Sequence, residues 1–237
     1  MPSSRSRPAF AIVATLTPRT QRNQIRRLSP PPASHALIAG VDEVGAGPLA
    51  GPVVACAVLL HPRLARPPLP HLDDSKRLTA RRRARLAAAL RAHPAFILAY
   101  GECSPSEIDR DNILNARLEA MARAVRALPV APQLLFVDGN RTLPAVQESV
   151  AQEAVVGGDA RVEVVAMASV LAKVCRDELM VQMDARFPGY GFARHKGYGT
   201  KMHVQALLEL GPCAIHRRSF RPVREAEQRM EDGEVGV

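Results

Sequence analysis

The stretch Gly40-Val-Asp-Glu-Val-Gly-Ala-Gly-Pro-Leu-Ala-Gly-Pro-Val53 constrains this chain more than any other. An apolar run over residues 36–41 ends on two adjacent carboxylates, Asp42 and Glu43, and a turn rich in glycine and proline follows. Residues 53–60, Val-Val-Ala-Cys-Ala-Val-Leu-Leu, then form a β-branched apolar run that reads as a buried strand. The pattern predicts two strands with the acids where the first gives way to the turn. Successive side chains on a strand point to opposite faces. Neighbouring acids therefore meet at one ion only if the strand ends or bulges and the longer glutamate arm reaches round. Glycines make such a distortion inexpensive. Gly45, Gly47 and Gly51 also suggest a dinucleotide phosphate loop, but that loop must open a helix directly. Pro48 and Pro52 interrupt the helix and a strand follows, so this reading ranks far behind.

A chain of 237 residues suits one domain with a sizeable core and tails. Its net charge of +9 is unevenly spread: residues 1–41 hold six arginines and no acid, whereas residues 224–237 hold two arginines against five acids. The body stays moderately basic, which fits a polyanionic partner. Cys56, Cys103, Cys175 and Cys213 lack zinc or redox spacing and read as free thiols in a reducing compartment. No apolar run approaches the roughly 20 residues of a membrane span. We therefore expect a cytoplasmic protein with a disordered Arg/Pro/Ser-rich leader over 1–35, a domain over 36–223 and an acidic tail over 224–237.

Thr79 is a candidate cap for a helix over 80–92, and Ser104 with Glu107 carries a capping signature for another. A strand over 96–101, a helix over 113–128 and a strand over 134–137 follow, the last delivering Asp138 into an Asp-Gly turn. A strand over 153–156, a long helix over 160–186 and a short helix over 201–210 complete the pattern. Antiparallel strands followed by alternating strands and helices predict an α/β fold, a mixed sheet flanked by helices.

Four acids thus stand at element ends: Asp42, Glu43, Asp138 and Asp159. Carboxylates hold hard divalent cations while leaving positions for water and phosphate, and two ions about 3.5–4 Å apart can cleave a phosphodiester. Taken singly, Asp159 is also a good helix cap and Asp138 a good turn residue. A second feature, Arg194-His-Lys-Gly-Tyr-Gly-Thr-Lys201 with Tyr190 and Phe192 before it, interleaves bases and aromatics as nucleic-acid binding requires. Ile215-His-Arg-Arg-Ser-Phe220 adds a further basic group. Either segment alone is more often a solvated loop with structural anchors.

Together Gly40-Val-Asp-Glu-Val-Gly45, Leu49-Ala-Gly-Pro-Val53, Asp74-Ser-Lys76, Val137-Asp-Gly-Asn-Arg141, Gly158-Asp159, Ala168-Ser-Val-Leu-Ala-Lys-Val174, Arg176-Asp177, His195-Lys-Gly-Tyr-Gly-Thr200 and Ile215-His-Arg-Arg-Ser-Phe220 closely resemble ribonuclease HII. The resemblance covers residues 37–223. It implies a ribonuclease H-like fold and an endonuclease, working with Mn²⁺ or Mg²⁺, that cuts the RNA strand of RNA–DNA hybrids and single ribonucleotides in duplex DNA. The ends left are 3′-hydroxyl and 5′-phosphate. It makes Asp42, Glu43, Asp138 and Asp159 the active-site acids and metal ligands. Gly45 and Gly47 become the turn whose backbone senses the 2′-hydroxyl, Tyr198 the ring beside the scissile ribonucleotide, and Arg217 and Ser219 duplex-backbone contacts. Ser169, Lys173 and Arg176 become phosphate contacts or supports of the acids, and the motifs add Ser75, Lys76, Asn140, His195 and Lys196 to the substrate-binding set. We expect a monomer with no membrane partner.

The chain departs from the family pattern where Ala46 replaces the arginine of the junction-reading turn and Gly157 replaces a lysine. Glu163 stands at a usual proline and Met167 at a usual alanine. The two missing cations leave an alternative, a nucleic-acid-binding homologue with weakened cleavage or junction preference.

Overall fold

The structure, a computed structural model, describes residues 36–64, 72 and 78–232. In chain order it contains β1 (Ile38–Val44), β2 (Val53–Leu60), α1 (Ala80–Ala92), β3 (Phe96–Cys103), α2 (Pro105–Asp111), α3 (Ile113–Arg126), β4 (Leu134–Asp138) and β5 (Ala151–Val155). A 3-10 turn over Gly158–Ala160 then leads to α4 (Glu163–Arg186), α5 (Phe192–His195), α6 (Lys201–Leu210) and α7 (Arg221–Glu231). The five strands form one mixed sheet in the order β3-β2-β1-β4-β5. The hairpin strands β1, β2 and β3 pair antiparallel, whereas β4 joins β1, and β5 joins β4, in parallel.

Strand β2 is apolar at every position because both its faces are covered. Val53, Ala55, Ala57 and Leu59 pack with Ala120, Met121 and Ala124 of α3, while Cys56, Val58 and Leu60 pack with α1 and α4. The α4 backbone comes unusually close to the sheet at Gly40. A Cβ built there would lie 2.7 Å from Val164 Cγ1 and 2.8 Å from Val165 N. A glycine two residues before Asp42 thus draws the start of α4 down onto the acid-bearing strand.

The expected caps form: Thr79 accepts from Arg82 N, and Ser104 with Glu107 makes a full capping box. Three expectations need correction. Strand β1 does not give way before the acids; its register with β2 runs unbroken from Ala39 to Val44, with no bulge. Helix α4 starts at Glu163 rather than 160, because the backbone of Arg161 and Val162 bonds back to Gly158 and closes a separate turn that carries Asp159. The segment expected as an acidic tail is helical to Glu231. Pro222 is pre-organised for a first helical turn, and Val223 and Ala226 bury one face against Leu49 and Leu207. The leader over 1–35, Ser75 and Lys76 lie outside the described residues.

Candidate active site

Parallel strands β1 and β4 end side by side, and the ends of parallel strands are where open α/β sheets carry ligands. Their pairing stops at Val41 with Val137, so Asp42, Glu43 and Asp138 follow just beyond the last shared rung. Each offers a carboxylate oxygen within 4.8 Å of the others. With no bulge, the reach of the glutamate side chain alone brings Glu43 to the group. Asp42 is buried towards α4, where Ser169 hydrogen-bonds to it. Glu43 pairs with Arg117 of α3 on the opposite face: Nε lies 2.6 Å and a terminal guanidinium nitrogen 2.5 Å from Oε1. Asp138 Oδ1 accepts the Gly158 N–H at 2.7 Å, tying β4 to the turn that holds Asp159. Asp159 is itself only 5% exposed but lies outside the three-acid group.

This group is costly when left to itself. Burial, then the charges of Glu43 and Asp138, raise the Asp42 carboxyl well above its ordinary range, and burial raises Glu43 against the opposing pull of Arg117. Among the described residues Glu43 Oε2 is buried with no hydrogen-bond partner. A bare buried carboxylate oxygen beside two further carboxylates fits a hard divalent cation, which would supply the missing partner and offset the mutual repulsion.

The cleft beside the acids is lined by Glu43, Val44, Arg83, Ser169, Lys173 and Tyr198. Tyr198 is 41% exposed, Lys173 Nζ lies 5.9 Å from its ring centre, and a Cβ at Gly47 would lie 3.9 Å from the ring edge. The glycine turn and the tyrosine, far apart in sequence, therefore share one wall.

That wall is built from three loops stitched by backbone bonds: Leu49 N to Gly197 O, Gly51 N to Ile215 O and Arg217 N to Leu49 O. Two buried arginines complete the stitching. Arg176 donates to the carbonyls of Ala50, Pro52 and Lys196, and Arg217 to those of Gly45, Ala46 and Gly51. Gly45, at φ 95, lies so close to Arg176 that a Cβ would collide with the guanidinium. Burial and the neighbouring Arg176 charge pull the Arg217 pKa down to about 9, still cationic at neutral pH.

A chain with this sheet, these acids and this motif order matches the family model described as Ribonuclease HII over residues 39–223. The chain belongs to the ribonuclease HII family. It is 51% identical over 187 residues to the ribonuclease HII of Nitrosococcus oceani, covering 79% of this chain and 90% of that protein. It is also 53% identical over 194 residues to that of Burkholderia thailandensis, covering 82% and 87%. The crystal structure of the ribonuclease H2 from Pyrococcus horikoshii superposes with a TM-score of 0.67 at 25% identity, over 82% of this chain and 99% of that one. The ribonuclease H-like α/β fold follows, and with it membership of the ribonuclease H enzymes. Among the described residues no helix is long and apolar enough to cross a membrane.

Within this ribonuclease HII scaffold the structure redistributes the expected roles. Ser169, Lys173 and Tyr198 line the cleft and Gly47 is exposed beside the Tyr198 ring, with Ala46 half-buried on the turn and Asn140 exposed after Asp138. Arg217, expected as a duplex contact, is 0% exposed here and donates to the carbonyls of the glycine turn. Arg176, equally buried, supports the loops rather than a phosphate. His195 is buried, its Nε2 bonded to Tyr190 O and its Nδ1 accepting from Gly197 N, while Lys196 turns its amine back to Ala193 O. Ser219 donates its hydroxyl to Asp109 at 2.6 Å. Sequence reasoning missed Arg83 and Arg117. Arg83 was signalled only by the arginine run that opens α1, and nothing in the sequence sets Arg117 apart from the other polar positions of α3, Asn115, Glu119, Arg123 and Arg126.

Proposed function

We propose that this protein hydrolyses the RNA strand of RNA–DNA hybrids and cuts at ribonucleotides embedded in duplex DNA, with Mn²⁺ or Mg²⁺, leaving 3′-hydroxyl and 5′-phosphate ends. The observation that carries this reading is the convergence of Asp42, Glu43 and Asp138, with a bare Glu43 oxygen, beside an exposed tyrosine and the glycine turn. Asp42, Glu43 and Asp138 would hold the divalent cations, with Asp159 as the fourth acid on the turn to which Asp138 is bonded. Two bound ions would activate the attacking water and stabilise the leaving oxygen. Lys173, ion-paired with Asp177, and Arg83, bonded to the Leu78 carbonyl, line the cleft where the substrate phosphates would pass, and Tyr198 offers a ring against the sugar at the scissile position. Backbone groups of the Gly45–Gly47 turn read the 2′-hydroxyl, the group that separates RNA from DNA. Arg217 fixes that turn by its carbonyls, so its shape does not depend on a side chain at position 46. This favours a working nuclease over a homologue that only binds. The reading carries with it a monomeric cytoplasmic enzyme that removes ribonucleotides from DNA.

The test is a DNA duplex bearing one ribonucleotide, incubated with Mn²⁺, with Mg²⁺ and with chelator, alongside an all-RNA strand hybridised to DNA. Cleavage of both, metal-dependent and 5′ to the ribonucleotide, is expected. Absence of cleavage with either ion, or cleavage indifferent to chelator, would overturn it.

A further inference from the structure

Arg117 grips Glu43 unevenly. A guanidinium facing a carboxylate commonly spreads two parallel N–H bonds over both oxygens. Here both nitrogens meet Oε1, at 2.6 and 2.5 Å, while Oε2 is buried without a partner among the described residues. The Glu43 side chain is only 7% exposed, so solvent cannot satisfy that oxygen freely. The grip is also rigid. Arg117 sits between Ala116 and the Ala120–Met121 pair of α3, all packed into the core against β2, so its backbone cannot yield without disturbing the sheet.

We propose that Arg117 is a positioning residue that confines Glu43 to a single ligand oxygen and thereby sets the preference of the site for small octahedral cations over Ca²⁺. The proposal rests on the reading that the acid group binds divalent metal. Ca²⁺ takes 6–8 oxygens and often claims both oxygens of one carboxylate, whereas Mg²⁺ demands near-octahedral geometry and keeps several waters. With Oε1 tied to Arg117, Glu43 has one oxygen to give. That suits an ion content with one donor per carboxylate and starves an ion that needs more.

Calorimetric titration of the metal-free full chain with Mn²⁺ and with Ca²⁺, without nucleic acid, tests this on the parent, Arg117→Met and Arg117→Lys. In the methionine variant the ratio of the Ca²⁺ Kd to the Mn²⁺ Kd should fall by about tenfold, within the range that outer-shell partners command. Lysine, which keeps a donor for Oε1, should restore most of the parent ratio. An unchanged ratio, or equal weakening of both ions in the methionine variant, would overturn the proposal, since mere structural damage moves both alike. If Arg117→Met does not fold, Arg117→Gln keeps a donor and loses the charge; a parent-like ratio supports the single-oxygen tie and a shifted one overturns it. Failure of the parent to bind either ion would instead sink the metal reading itself.

Discussion

Arg176 and Arg217 are completely buried and Asp42 nearly so, yet the two arginines end on backbone carbonyls, while Asp42, Glu43 and Asp138 crowd within 4.8 Å of one another with Ser169, Arg117 and the Gly158 N–H to answer them. In the loop assembly each guanidinium finds oxygens already fixed by neighbouring backbone bonds, so burial there is satisfied and the charge serves as a staple. In the acid group burial and like charge push the same way, and one oxygen is left bare. The difference teaches where the protein has placed architecture and where it has reserved affinity for something it must bind. A satisfied buried charge costs little more than its desolvation, whereas an unsatisfied one keeps free energy that a ligand can recover.

The largest effect is expected from disarming the acid group. Asp138→Asn should remove cleavage by more than the roughly 10–100-fold that outer-shell partners are worth, since a ligand itself is altered. Hybrid binding should survive, because Lys173, Arg83 and Tyr198 are untouched. Near-parent turnover in saturating Mn²⁺ would show that Asp138 is not an essential ligand.

Removing a staple should act on stability instead. Arg217→Met strands the carbonyls of Gly45, Ala46 and Gly51, and at about 1–3 kcal/mol for each unsatisfied group the loss should reach about 3 kcal/mol or more. Denaturant unfolding measures it. The slope of log hybrid affinity against log salt should stay the same in protein that remains folded, and a slope shallower by one phosphate contact would return Arg217 to the substrate surface.

Acid should move the two regions in opposite directions. His203 and His216, bonded to each other at 3.1 Å in the loop assembly, are pushed down to about 4 by burial. Unfolded histidines titrate near 6.5, so between about pH 6.5 and pH 4 the unfolded chain binds more protons and folding stability falls as pH falls. The loss is on the order of 3 kcal/mol for each histidine at most, and less for a coupled pair. Asp42, with its pKa raised, binds its proton more readily when folded, so its penalty is relieved over the same descent. In metal-free protein, Asp42→Asn should therefore lose stability more steeply with acid than the parent does. Parallel pH curves would show that the acid group contributes no such relief.

The smallest effect should come from adding charge rather than removing it. Ala46→Arg places a guanidinium on a turn already fixed by Arg217, so a new phosphate contact is worth roughly 1.5–3 kcal/mol at best and less in solvent. The salt slope should steepen by about 0.9 if one more phosphate is neutralised. Unchanged slope and affinity would mean that position 46 does not face the duplex.

Much of this was legible in the chain. The β2 strand, the Thr79 and Ser104 caps and the acids at strand ends all follow from local chemistry, because caps and buried strands are dictated by a few neighbouring side chains. The boundary errors have local causes too: a 3-10 turn over Gly158–Ala160 looks like the first turn of α4 until its backbone closes on Gly158. What sequence could not decide was the destination of each long charged side chain. Arg217 beside Ser219 reads as a surface motif, and only the docking of three distant loops turns its guanidinium inward to carbonyls. Arg117 lies 74 residues from Glu43 and meets it only because α3 packs across the hairpin. The sequence by itself determined which carboxylates this protein keeps at its strand ends, since that choice is written in residue type and local pattern. The tertiary structure alone decided which cations answer them, because an arginine can reach several partners and burial, not spacing, selects one.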